Sequence, residues 1–256
     1  TACASSNKEP EFAEKPAETL YLDAKNLLDT GKYTKAAELF DEVERQHPYS
    51  EWAVRAKIMS AYSHYQNLKY DDAILALNRF IELHPSNDSI SYAYYLKSLC
   101  YYEQISDIRK DQQMTELALN ALKDVIKKFP SSDYAKDAQI KIDLTMDHLA
   151  GKEMEIGRFY LKQESYSSAI NRFKEVVKNY QTTSHIPEAL HRLVECYVAL
   201  GIHDEAYKIA SVLGYNFPGS KWYQYSYKLL KKEGYDLDAS TKDQKSWVSK
   251  NLGDIF

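Results

Sequence analysis

Apolar and polar positions alternate with helical spacing along most of the chain, and one small residue recurs within that pattern. The recurring residue is an alanine, with an aromatic residue three positions before it in most copies and an apolar residue four positions after it in most copies. The alanines are Ala36, Ala73, Ala118, Ala169 and Ala206. The preceding residues are Tyr33, Tyr70, Thr115, Tyr166 and His203, and the following ones are Phe40, Leu77, Leu122, Phe173 and Ala210. Since residues three and four apart share a helix face, each copy predicts a helix that a neighbouring helix can approach closely.

Turn signals separate these predicted helices. A proline follows four of the alanines by twelve residues, at Pro48, Pro85, Pro130 and Pro218, and Gln181 takes its place in the fifth copy. Proline cannot continue a helix, and polar residues after it are predicted to cap the next one: Ser50, Asp88, Ser132, Ser184 and Ser220. Gly31 and Gly201 are predicted to form the turns inside two helix hairpins, where a positive φ suits glycine.

A small residue also lies twelve positions before three of the alanines, at Ala24, Ala61 and Gly157. This spacing resembles the tetratricopeptide repeat (TPR). The resemblance implies an all-α TPR solenoid of five divergent helix hairpins, closed by a C-terminal capping helix near residues 220–233.

The spacing between repeats predicts how the chain is divided. Residues 1–16 are predicted to be a flexible leash, 17–131 the first three repeats, 132–233 the last two with the capping helix, and 234–256 a polar tail. An insertion around 105–113 predicts an extended hairpin loop. One long helix is predicted over 132–163, interrupted near Gly151. Its predicted apolar positions are Ile140, Leu144, Leu149, Met154, Ile156 and Tyr160.

Composition and motifs disfavour several classes of function. The net charge is −4 and there is no long basic run, so nucleic-acid binding is not expected. Gly-rich phosphate loops, G-x-S-x-G, C-x-x-C and H-E-x-x-H are absent from the sequence, so we expect no enzyme activity, no cofactor and no metal site. Cys100 and Cys196 lie in apolar helical patterns and are predicted to be small buried core residues.

The sequence does predict a binding surface. In a TPR array the first helices of successive repeats line the concave face. The residues predicted to point inward are Tyr21, Lys25, Arg55, Tyr62, Tyr65, Tyr92, Tyr95 and Tyr102. Tyrosines with two cations would suit an extended peptide, although individual rings would equally suit packing between helices.

Three segments resemble the ComL/YfiO family of BamD-like lipoproteins. They are "NRFIELHPSNDSISYAYYLKSL" (78–99), "KKFPSSDYAKDA" (127–138) and "DHLAGKEMEIGRFYLKQESYSSAINRF" (147–173). The opening "TACASS" resembles the residues around a lipoprotein's modified cysteine, so Cys3 is the expected lipid attachment point. The insertion at 105–113 is shorter than the family's, and the 234–256 tail has no family counterpart.

The resemblance implies a non-catalytic scaffold of the outer-membrane β-barrel assembly (BAM) machinery. Its partners would be the BamA POTRA domain, the other BAM lipoproteins and unfolded outer-membrane proteins, with the membrane reached through the N-terminal lipid alone. The C-terminal repeats would hold BamA, with Arg172 and Asn171 as contacts, and the N-terminal groove would receive substrates.

Three alternatives stay open from the sequence. One is another periplasmic TPR lipoprotein that organises cell division or peptidoglycan synthesis. A second is an enzyme on a TPR scaffold, and a third is a cytosolic cochaperone that binds carboxylate tails. The last would require a Lys/Asn clamp that Lys25, Tyr62 and Tyr65 do not supply, and it would leave Cys3 unexplained.

Overall fold

The computed structural model describes residues 15–235, and the regular structure in this range is helical. The helices are α1 (Ala17–Asp29), α2 (Tyr33–Gln46), α3 (Glu51–Gln66), α4 (Tyr70–Leu83), α5 (Ile90–Tyr102), α6 (Gln113–Lys128), α7 (Asp133–Lys162), α8 (Tyr166–Asn179), α9 (Ile186–Ala199), α10 (His203–Asn216) and α11 (Lys221–Lys232). Within these residues consecutive helices pair as five hairpins, and α11 follows the fifth. The predicted fold class, an all-α TPR solenoid with a capping helix, is confirmed.

The chain divides into two compact units. The first unit extends to Gln104 and takes in Asn120–Ala138. The second unit comprises Ile105–Leu119 and continues from Gln139. Helices α6 and α7 therefore each contribute residues to both units. The division at residue 131 that the sequence suggests stays a prediction.

The recurring alanines form the centre of each hairpin. All five are fully buried, as are the five residues that follow them by four positions. The predicted opening aromatics are the first residues of their helices at Tyr33, Tyr70, Tyr166 and His203. Phe40, the residue four positions after the first alanine, is completely enclosed. Burying a side chain of this size stabilises the fold by about 1.5–3 kcal/mol, so the repeat pattern marks the main energetic contacts of each hairpin.

A glycine provides the closest helix contact in the fourth hairpin. Gly157 of α7 faces the ring of Phe173 on α8, and a Cβ at residue 157 would overlap that ring. Phe173 is fully buried at this contact. Glycine costs helix stability relative to alanine, so its presence here is explained by the space that the phenylalanine takes.

Serine caps start α3, α7 and the capping helix α11 as predicted. Ser50, Ser132 and Ser220 each accept a hydrogen bond through Oγ from a backbone N–H of the following helix, at 3.1, 3.2 and 3.2 Å. The caps predicted at Asp88 and Ser184 are wrong. Ser89 precedes α5 and its N–H donates to Asn87 Oδ1, and Ser184 donates through N and Oγ to Asp147 Oδ1. Both segments carry extra residues that start the helix later than the repeat spacing suggests.

The same turn closes four of the hairpins. In each, one residue has positive φ: Gly31 (74°), Leu68 (58°), Glu164 (57°) and Gly201 (72°). The next N–H donates to the carbonyl five residues earlier, as Lys69 N does to His64 O at 2.9 Å, which is the Schellman pattern. The two glycines confirm the predicted turns. At the other two positions a side chain occupies left-handed backbone geometry at a cost of about 1–2 kcal/mol.

Helix α7 is continuous over its 30 residues, so the predicted interruption near Gly151 is wrong. Gly151 is buried, and a Cβ there would lie 3.4 Å from His185 Nε2 and 3.9 Å from Ile108 Cγ2. These are ordinary van der Waals distances, so this glycine marks neither a break in the helix nor a position too tight for a side chain.

The face that α7 buries also differs in part from the prediction. Leu149 and Met154 are buried as expected. Ile140 and Leu144 are 61% and 56% exposed, and Ile142 is buried instead. Residues two apart on an α-helix point to nearly opposite sides, so the predicted stripe ran along the wrong side of the first half of the helix.

Relief of the strained turn gives a direct test of the shared hairpin geometry. We expect Leu68→Gly to raise the free energy of unfolding by about 0.5–1 kcal/mol, because the relief of left-handed strain exceeds the added entropy of the unfolded chain. Leu68 is 71% exposed, so little burial is lost. Lys69→Gly, next to it at φ −89°, is the control and should destabilise the protein in chemical denaturation. Equal destabilisation by both variants would contradict the assignment of strain to Leu68.

Candidate interaction surfaces

The candidate functional features in the described part of the chain are surfaces formed by side chains of neighbouring helices. Within residues 15–235, no three His, Cys, Asp or Glu side chains are grouped so that they could hold a metal ion. Cys100 and Cys196 are fully buried, as predicted, and burial raises the pKa of each thiol to about 12. A thiol with this pKa is not an effective nucleophile at neutral pH. No helix in the same range is long and apolar enough to cross a membrane.

Tyrosines from three first helices gather in the first unit, and we call this group the tyrosine face. Tyr62 and Tyr65 of α3 stack with ring centroids 6.3 Å apart. Tyr92 and Tyr95 of α5 lie 5.6 and 5.1 Å from the ring of Tyr134, at the start of α7. Tyr62, Tyr65 and Tyr92 pack on the same buried cluster of α3, α4 and α5 residues. The structure thus brings together four of the predicted groove residues and adds Tyr134.

Three phenol groups of the tyrosine face, those of Tyr65, Tyr92 and Tyr95, are held in their neutral form. Burial raises the pKa of Tyr65 to about 12, with a smaller contribution from the carboxylate of Glu103. Burial likewise raises the pKa of Tyr92, with the neighbouring phenols adding to the effect. The pKa of Tyr95 is raised first by burial and then by the hydrogen bond that its hydroxyl donates to Asp137. Neutral phenols both donate and accept hydrogen bonds, and their rings offer apolar contact area.

Tyr21 and Arg55 lie in a second aromatic group of the first unit. The ring of Tyr21 is 5.4 Å from Phe40 and 4.9 Å from Trp52, between helices α1, α2 and α3. The Arg55 guanidinium is 5.2 Å from the centre of the Trp52 ring, a cation–π distance. Tyr21 and Arg55 also line a surface cavity of about 590 Å³, beside Asn87. Lys25 is exposed on α1, and Tyr102 ends α5 as a partly buried residue.

Sequence reasoning missed Trp52 and Tyr134 as members of these surfaces. Each follows a capping serine by two positions and precedes an alanine, in "SEWA" (50–53) and "SDYA" (132–135). The shared position places each ring against an aromatic side chain of the preceding first helix. An aromatic residue at this position could therefore be recognised by comparing equivalent positions of the repeats, and not from either segment alone.

The second unit contains the predicted partner contacts Arg172 and Asn171. They line a surface cavity of about 400 Å³ with Glu153, Tyr160, Ser168 and Glu175. Arg172 Nη1 donates to Glu153 Oε2 at 3.1 Å, which joins α8 to α7. The Arg172 side chain is 44% exposed and that of Glu153 is 18% exposed. The cavity therefore combines a half-exposed guanidinium with hydrogen-bonding side chains.

The raised pKa values predict how stability depends on pH. The free phenol titrates near pH 10, so the unfolded chain loses protons before the folded chain as the pH rises. The contribution of Tyr65 is fully present below about pH 10 and is lost as the pH rises towards its folded pKa of about 12. We expect Tyr65→Phe to lessen the loss of thermal stability between these pH values. Tyr49→Phe, at a fully exposed tyrosine, should leave the loss unchanged, and an identical pH dependence in all three proteins would contradict the account.

Several solved TPR structures are similar to this chain. A thermophilic TPR protein from Thermus thermophilus is 18% identical, with 84% of this chain and 100% of that chain covered and a TM-score of 0.39. The TPR2AB domain of yeast Sti1 is 13% identical, with coverages of 93% and 95% and a TM-score of 0.44.

Sequence relatives are much closer. The chain is 51% identical over 234 residues to outer membrane protein assembly factor BamD of Caulobacter vibrioides. The matched region covers 91% of this chain and 77% of the relative. It is 54% identical over 226 residues to the protein of the same name in Rickettsia prowazekii, with coverages of 88% and 90%. The family YfiO, described as outer membrane lipoprotein, matches residues 13–212. The chain therefore belongs to the YfiO family of outer membrane lipoproteins, which includes the BamD assembly factors.

Proposed function

We propose that this chain is a non-catalytic scaffold that assists the assembly of outer-membrane proteins. The family match carries this proposal, because the close relatives are named as assembly factors and cover most of the chain. Two chemically different surfaces on the two units support it further. A scaffold needs such surfaces and no reaction centre.

The C-terminal repeats are proposed to dock on the POTRA domain of BamA, with Arg172 and Asn171 in the contact. Arg172 is half exposed and lines a cavity, so a partner carboxylate can reach it. A planar guanidinium can bind a carboxylate through two parallel hydrogen bonds, which a lysine cannot reproduce. Asn171 supplies an amide donor and acceptor on the same cavity wall.

The tyrosine face is proposed to receive unfolded outer-membrane proteins. Strands of such proteins alternate apolar and polar residues and carry aromatic residues at the membrane interfaces. Tyrosine rings suit the apolar positions, and the neutral hydroxyls can pair with the peptide backbone. Tyr21 and Arg55, with Lys25 exposed on the same first helix as Tyr21, extend the candidate contacts in the first unit.

Cys3 is proposed to carry the lipid that attaches the protein to the outer membrane. It lies outside the described residues, and the support comes from the family's description as lipoproteins and from the small residue that precedes the cysteine. Stable anchoring takes more than one acyl chain, since a single chain gives marginal binding. Contacts with other BAM lipoproteins are proposed for the same reason of family membership.

Purification of the tagged, membrane-processed protein in mild detergent tests the proposal. We expect BamA to copurify and the peptide that contains Cys3 to carry a diacylglyceryl mass. Arg172→Glu should reduce the recovery of BamA at least about tenfold, since a lost charge-assisted pair costs about 1.5–3 kcal/mol, while the thermal melt stays cooperative. Lys208→Glu is the matched control, because Lys208 is a similarly exposed cation that pairs with Glu205.

Three other results would each contradict a part of the proposed function. A lipidated protein without BamA would favour another periplasmic TPR scaffold. An unmodified Cys3 would remove the anchoring proposal. Undiminished recovery of BamA with Arg172→Glu would show that the docking site lies elsewhere.

A further inference from the structure

The ion pair between Arg172 and Glu153 leaves part of the guanidinium available. Within residues 15–235, Arg172 donates from Nη1, to Glu153 Oε2 at 3.1 Å. Neither Nε nor Nη2 of Arg172 donates a hydrogen bond to another residue of this described range. These two nitrogens form one complete edge of the guanidinium, the edge that accommodates both oxygens of a carboxylate.

Glu153 is well placed to restrain this arginine. It belongs to the long helix α7, whereas Arg172 belongs to α8, so the pair joins the two helices of one hairpin. Its side chain is 18% exposed, against 44% for the arginine, so the carboxylate is the more enclosed partner. Glu175, the other carboxylate of the cavity, accepts a hydrogen bond from Asn179. Glu153 is thus the carboxylate that the structure pairs with Arg172.

We propose that Glu153 is a positioning residue for the docking contact. By holding Nη1 it fixes the rotamer of a long, flexible side chain and leaves the Nε–Nη2 edge for the partner. An arginine that is ordered before binding loses less side-chain entropy on association. This inference rests on the proposed function, since it concerns the same docking site on BamA.

The opposite role for Glu153 makes a different prediction. If Glu153 competed with the partner's carboxylate, its removal would tighten binding, because the arginine would be released. If Glu153 positions the arginine, its removal weakens binding, and glutamine preserves the effect because its carbonyl oxygen still accepts from Nη1. Glu153→Ala and Glu153→Gln therefore distinguish the two roles.

A double-mutant cycle on the purified full-length protein tests the proposal, with BamA affinity measured in detergent. We expect Glu153→Ala to weaken binding about three- to tenfold and Glu153→Gln to stay within about twofold of the parent, the range of a partly exposed charge contact. Adding Glu153→Ala to Arg172→Ala should cause no further loss, because the glutamate acts through the arginine. Glu205→Ala, which breaks the exposed Lys208 pair, is the control and should leave affinity unchanged.

The outcomes distinguish a failure of the positioning role of Glu153 from a failure of the proposed docking site at Arg172. If Arg172→Ala weakens binding while Glu153→Ala leaves it unchanged or tightens it, the docking site stands and the positioning role is wrong. If the double variant is weaker than Arg172→Ala, Glu153 acts by another route and the positioning role is also wrong. If Arg172→Ala has no effect, the proposed docking site fails and the inference fails with it. Thermal melts of all variants exclude loss of the fold as the cause.

Discussion

The fold depends on a close approach between the two helices of each hairpin, which a small residue permits and, in most of the hairpins, a large apolar residue completes. In the fourth hairpin the constraint is severe, because Phe173 occupies the space that a side chain at Gly157 would need. In the first two hairpins the buried alanines Ala24 and Ala61 occupy the corresponding place in the repeat. Interiors are packed too densely to absorb a larger residue there. The requirements of helix packing therefore explain the repeat spacing in the sequence.

Local chemistry explains why much of the fold could be predicted from the sequence. A proline, a capping serine and a glycine in a turn act within a few residues, so Ser50 and Gly31 behave as expected. Leu68 and Glu164 could not be predicted as left-handed residues, because the hydrogen bonds of the completed turn impose that geometry. The buried side of helix α7 could not be predicted for another reason. Periodicity alone did not decide which side of its first half faces the core.

The surfaces were less predictable than the core, because they depend on which helices become neighbours. The tyrosines of α3 and α5 could be assigned to one face from their repeat register. The ring contacts of Tyr134 required the placement of α7 beside α5. The pair of Arg172 with Glu153 joins residues 19 positions apart, beyond the reach of a helical spacing rule. The repeat positions that pack between helices are restricted to core residues. The surface positions are not restricted in this way, so they carry aromatic groups in one unit and a guanidinium in the other.

In the function proposed above, two surfaces of one scaffold bind different partners. The most direct measurement is photo-crosslinking in living cells, with a photoreactive residue at Tyr92 in one strain and at Asn171 in another. We expect position 92 to capture outer-membrane proteins during their assembly and position 171 to capture BamA. Capture of the same partner at both positions, or of BamA at position 92 alone, would contradict the division of roles between the two units.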